Sequence, residues 1–192
     1  MPTLTQLRRF AVEIRRADLG LDEYEPFCPY RLAEEHGVDV YALDELPESG
    51  CSQQAVDHFT SIRPDVWSAA LVPVGTGRFI VENATHNPQR RRSNVSHEMA
   101  HLLLEHEVDG VLFSGGQRGC LNPTTQQMET DAAELGAELL LTSAAALRAA
   151  RAGKTDEQVA EQYDVSVELA RWRLNCTGAR KRAEYALRKR HG

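Results

Sequence analysis

The chain has 192 residues, enough for one domain with a sizeable core, and its 42% apolar and 26% charged content is ordinary for a globular protein. Twenty-two Lys and Arg against 28 Asp and Glu leave a net charge of −6, which excludes generic nucleic-acid binding. The balance is uneven: Arg171, Arg173, Arg180, Lys181, Arg182, Arg188, Lys189 and Arg190 face only Glu184 over residues 171–192, so an acidic body carries a basic tail.

The first helix is expected over residues 3–18, with Leu4, Leu7, Phe10, Ala11 and Ile14 on one face. This charged opening lacks the apolar core of a secretory leader, and no run approaches 18 apolar residues, so no membrane partner is expected. Cys28, Cys51, Cys120 and Cys176 are scattered, which excludes a disulfide framework or a four-cysteine zinc site and suits a reducing cytoplasm. A short helix is expected over residues 30–36, ending at Gly37, and a strand from Val38 through Tyr41. Residues 47–67 read as irregular or weakly helical. The apolar runs 68–74 and 78–82 flank Gly75-Thr76-Gly77 and predict a hairpin. Pro73 cannot donate to a ladder, which places its strand at an edge. Either run offers an edge on which an extended peptide could be held. Residues 83–92 read as a polar loop, 93–105 as a helix, 107–127 mostly as loop, 125–150 as one long helix, and 155–191 as two or three short helices. The class is α+β, helices around a small sheet.

The chemistry concentrates in His97-Glu98-Met99-Ala100-His101 on the 93–105 helix. Residues four apart share a helical face, so His97 and His101 can present two imidazoles to one metal ion. Glu98, one residue round, is placed to activate a zinc-bound water for peptide-bond hydrolysis without itself ligating. A catalytic zinc needs a third protein ligand. Glu129 heads a stripe of Ala132, Ala133, Gly136 and Leu140, whose small residues would let its helix approach the first closely. A carboxylate at the end of such a stripe suits a cation better than a core. His106 would fall about 140° further round a continued helix than His101, and reads as a surface or capping residue. Cys120 reads as an incidental loop thiol rather than a zinc-capping thiolate.

Three segments, GRFIVENATH, NVSHEMAHLLLEHE and METDAAELGAELLLT, together resemble the ImmA/IrrE family of metallo-endopeptidases. Asn83 stands at the end of the strand, His97, Glu98 and His101 at the HExxH positions, and Glu129 at the first Glu of the downstream motif. Ala132, Gly136 and Leu139-Leu140 follow at the expected steps. Ser93-Asn94-Val95-Ser96, Leu135 and Thr142 depart from the usual Phe-Thr-Leu-Ala, Phe and Pro, without touching the metal-binding positions. The resemblance implies a gluzincin-like zincin fold, a Zn2+ cofactor, and cleavage of a specific protein partner. Such a partner is commonly a helix-turn-helix transcriptional repressor, whose cleavage derepresses its genes.

Thr155-Asp156-Glu157-Gln158 predicts a capping box opening a helix, and Ser166 caps a second, over 167–176. Leu169, Ala170 and Leu174 are expected inward, and Arg171 and Arg173 outward, in a helix-turn-helix-like arrangement. The domain division expected is a metallopeptidase domain over residues 1–150 and a helical segment with a basic tail over 151–192. A second functional reading is a DNA-binding or scaffolding regulator with a structural or sensory metal, its basic helix and tail contacting phosphate. The acidic body and the HExxH glutamate, which a structural metal does not need, make nucleic acid the lesser expectation.

Overall fold

The computed structural model describes residues 2–106, 112–114 and 123–191. They divide into two compact units, one of residues 28–136 and one combining residues 1–27 with 137–192.

In the 28–136 unit, α2 (Pro29–Glu35) follows α1 of the other unit and opens with proline at its first position, where a missing N–H costs nothing. β1 (Val40–Ala42) leads into a 3-10 turn (Leu43–Ser49) and the short α3 (Gln53–Asp57). β2 (Ala69–Val74) and β3 (Gly77–Glu82) form the expected hairpin, paired from Val74↔Gly77 to Ala69↔Glu82. Gly75 supplies the left-handed φ of 57° that this tight turn needs. β4 (Leu112–Ser114) adds to β2, and β1 pairs in parallel with β3, giving the order β1-β3-β2-β4.

The expected peptide-holding edges are therefore not edges. β3 lies between β1 and β2, and β2 lies between β3 and β4. Pro73 thus lies in an interior strand, paired with Arg78 of β3, while β4 pairs with Ala69–Leu71 among the described residues. One sheet face buries Ala70 and Val81 with Leu43, Val56 and Trp67. By strand alternation Leu71 and Ile80, both buried, take the other face, across which α4 (Pro88–Leu103) packs on β2 and β3. That helix starts at Pro88, not near Ser93. Asn87 caps it by accepting the Arg90 N–H at 2.8 Å, and proline again takes the first position.

Asn83, fully buried, ties the strand end to the irregular segment before β2. Its Nδ2 donates to the carbonyls of Phe59, Pro64 and Trp67 at 2.9, 3.0 and 3.2 Å, and its Oδ1 accepts from Thr85 N and Oγ1. Buried Glu82 at the end of β3 accepts from Tyr30 of α2 and from Arg91 of α4, joining three elements.

In the other unit, α1 (Leu4–Leu19) opens on a Thr3/Gln6 capping box and closes on Gly20. The single helix expected over 125–150 is two. α5 (Pro123–Leu140), whose last turn belongs to this unit, ends before Thr142, and α6 (Ser143–Arg151) begins after it. The Thr142 hydroxyl accepts the Ala145 N–H at 3.0 Å and donates to the Glu23 carbonyl at 2.6 Å, so the cap interrupts the helix. α7 (Asp156–Tyr163), α8 (Val167–Cys176) and α9 (Ala179–His191) follow, with the predicted Thr155 box and Ser166 cap both formed.

Two buried arginines satisfy carbonyls that the end of α5 leaves without intrahelical donors. Arg15 donates to Leu139 O at 2.5 Å and also to the Asp22 and Glu25 carbonyls. Arg173 donates to Leu141 O at 2.9 Å. These bonds hold α1, the end of α5 and α8 together within one compact unit. Among the described residues no helix is long and apolar enough to cross a membrane.

Candidate metal centre

Helical spacing on α4 sets His97 and His101 one turn apart, their Nε2 atoms 3.1 Å from each other and their ring centres 4.8 Å apart. Glu129 reaches them from α5, with Oε2 3.2 Å from His97 Nε2 and Oε1 3.3 Å from His101 Nε2. One ligand atom from each of the three residues lies within 4.8 Å of the others. Among the described residues no other trio of His, Cys, Asp or Glu offers ligand atoms this close.

The approach of the two helices depends on Gly136, two turns after Glu129. A Cβ there would sit 3.0 Å from Ser96 O and 3.2 Å from His97 Cα and N. The Ser96 hydroxyl donates to Gly136 O at 2.9 Å and fixes the contact. Ala132 is buried with Gly136, as the small-residue stripe predicts, but Ala133 is exposed and takes no part. Helical rotation carries position 133 about 100° off the 132 face.

Burial alone would raise the Glu129 carboxyl, but the close contacts with His101 and then His97 outweigh it and hold the group well below the usual carboxylate range. Among the described residues its ion-pair partners are both imidazoles, with no lysine or arginine. Two imidazole nitrogens and a carboxylate converging on one point form a donor set that suits a small borderline-soft cation and leaves a further coordination position open. The cluster opens on one side: the His101 side chain is 1% exposed, His97 19% and Glu129 32%.

Glu98 is fully buried, and its Oε2 accepts the Leu71 N–H of β2 at 3.1 Å. That bond orients the carboxylate from the sheet, a partner the motif alone does not reveal. His106, read as a surface or capping residue, is buried, with Nδ1 2.9 Å from His101 Nδ1, and its N–H caps the end of α4 by donating to His101 O at 3.1 Å. Burial, and then the neighbouring His101, push the His106 imidazole below its ordinary pKa. Extending the helix past His101 misplaced it, because α4 stops at Leu103. Cys120 lies outside the described residues.

The residues proposed for phosphate contact fare differently. Arg173, expected outward, is fully buried and bonded to Glu138, Leu141 O and Ser143, so it is not available to phosphate. Arg171 is exposed as expected, and both it and Arg180 pair with Asp156.

A family model described as the IrrE N-terminal-like domain of peptidase family M78 matches residues 33–175, which contain every residue of the cluster. No curated protein matches the chain.

Proposed function

Because this chain belongs to the IrrE N-terminal-like family of M78 peptidases, we propose that it is a zinc-dependent endopeptidase in which His97, His101 and Glu129 hold Zn2+ and Glu98 is the general base. The family is one of metallopeptidases, and the helices around a small mixed sheet make an α+β, zincin-like fold. The observation that carries the reading is the convergence of His97, His101 and Glu129, two helices supplying three ligand atoms within 4.8 Å.

When bound, zinc supplies Lewis acidity that polarises the scissile carbonyl and acidifies water. The protein's own residues do the rest. Glu98 takes a proton from the attacking water at its carboxylate and delivers it to the leaving amine nitrogen. The Leu71 N–H, 3.1 Å from Glu98 Oε2, holds the carboxylate plane through both transfers. Exposure of His97 and Glu129 leaves the substrate a side from which to enter. The substrate is a specific protein, and the resemblance to ImmA/IrrE peptidases favours a helix-turn-helix transcriptional repressor in the cytoplasm, whose cleavage would regulate transcription.

The test is incubation of the zinc-loaded protein with helix-turn-helix repressors, with mass spectrometry of the products. One peptide bond should be cut, and Glu98→Gln should slow that cut by about 10²–10⁴-fold while retaining metal. Equal cleavage by Glu98→Gln would contradict the assigned base.

A further inference from the structure

Resting on the zinc reading above, we propose that His106 is a positioning residue: its Nδ1 accepts the Nδ1–H of His101 and so fixes His101 in the tautomer whose Nε2 lone pair faces the metal cluster. A neutral imidazole carries one N–H, on one nitrogen or the other. His101 can offer Nε2 to a cation only if its proton sits on Nδ1. That nitrogen is on a side chain 1% exposed, beyond the easy reach of water, so its proton needs a partner from the protein. His106 Nδ1 lies 2.9 Å away, and the two ring centres are 5.0 Å apart at 69°. As acceptor, His106 keeps its own proton on Nε2. Among the described residues no other group is bonded to His101 Nδ1.

The backbone is shaped to deliver this contact. α4 closes with two bonds past its last turn: Glu105 N to Leu102 O at 3.0 Å and His106 N to His101 O at 3.1 Å. That pair is the Schellman pattern, and it needs the residue at position 105 in the left-handed region. Position 105 is a glutamate at φ 52°, not the glycine that adopts this conformation without strain. The turn reverses the chain beside the helix it has just left. His106 thus returns to the buried side of His101 instead of continuing round the helix. The same residue whose side chain enters the metal cluster supplies the carbonyl that anchors the turn. Ring and backbone of His101 are both held by His106.

A partner bonded to the far nitrogen of a metal-binding histidine is worth about 10–100-fold in metal affinity. The experiment measures zinc affinity by chelator competition for the unmodified protein, His106→Leu, His106→Asn and Glu105→Gly, with the visible spectrum of the cobalt(II)-loaded protein as a second readout. Leucine fills the space without an acceptor, whereas asparagine places Oδ1 where the imidazole Nδ1 stood. The expected result is a loss of about 10–100-fold in His106→Leu, with a shifted cobalt spectrum, and recovery of most of that loss in His106→Asn. Glu105→Gly, which suits the same turn, should bind zinc as the unmodified protein does. Should His106→Leu not fold by circular dichroism, His106→Ala against His106→Asn gives the same comparison. Unchanged affinity in His106→Leu, or His106→Asn as weak as His106→Leu, would overturn the proposal and leave the zinc reading standing. No zinc bound by the unmodified protein would overturn both.

Discussion

Two of the carboxylates on helix α5 lie in contrasting surroundings, Glu129 in its first half and Glu138 near its end. Glu138 is 4% exposed and saturated: Arg173 donates to it, as do Ser143 N at 2.6 Å and Ser143 Oγ at 2.8 Å. Glu129 is 32% exposed and meets two imidazoles. Both carboxylates are partly or wholly removed from water, but only Glu138 has a fixed cation to offset that cost. One helix thus shows how a closed ion pair serves stability and an open cluster of lone pairs serves a ligand. Burial of a charge is not in itself a sign of function; a carboxylate whose neighbours are also acceptors is the stronger one.

The contrast can be broken most forcefully at Arg173. Arg173→Ala leaves Glu138 buried without its guanidinium and should cost about 3–5 kcal/mol, read as a lower midpoint in urea. Glu129→Gln should leave the metal-free protein near its original midpoint while removing metal binding, since its partners are imidazoles on an open face. Equal destabilisation by the two variants would erase the distinction.

Asn83 is the closed counterpart within the unit that holds the open cluster. Asn83→Ala removes the donor shared by three carbonyls, of which Pro64 O keeps His86, and the acceptor for Thr85, and should cost about 2–3 kcal/mol. Gly136→Ala tests the approach of the two helices. Overpacking against backbone atoms costs about 1–3 kcal/mol and exceeds the ~1 kcal/mol of helix propensity gained. A net loss of up to about 2 kcal/mol should follow, with weaker zinc binding because the obstructed atoms are Ser96 O and the His97 backbone. The smallest effect is expected at exposed Arg171, where Arg171→Ala should leave the urea midpoint unchanged.

The site was legible where one helix's periodicity constrains it. His97 and His101 needed only the i, i+4 rule, and Glu129 with Gly136 needed the same rule and the size of the small residues. His106 escaped because periodicity says nothing about where a helix closes, and a glutamate in the left-handed region leaves no glycine to mark the end. Arg173 read as a surface cation because its partner Glu138 lies 35 residues away in sequence and cannot be inferred from local pattern. Thr142 hid the break between α5 and α6 for a related reason: a threonine can cap a helix or continue one, and the deciding bond is to Glu23, 119 residues earlier. Pro73 pointed to an edge strand, but strand order is set by pairings with β3 and β4 that a single proline does not encode.

The central claim, that His97, His101 and Glu129 together hold one zinc ion, is tested most directly by the metal content of the purified protein beside His101→Ala and Glu129→Ala. The account predicts one zinc per chain, lost in both variants with the fold retained by circular dichroism. Zinc kept by Glu129→Ala, or no metal bound by the unmodified protein after reconstitution, would contradict it.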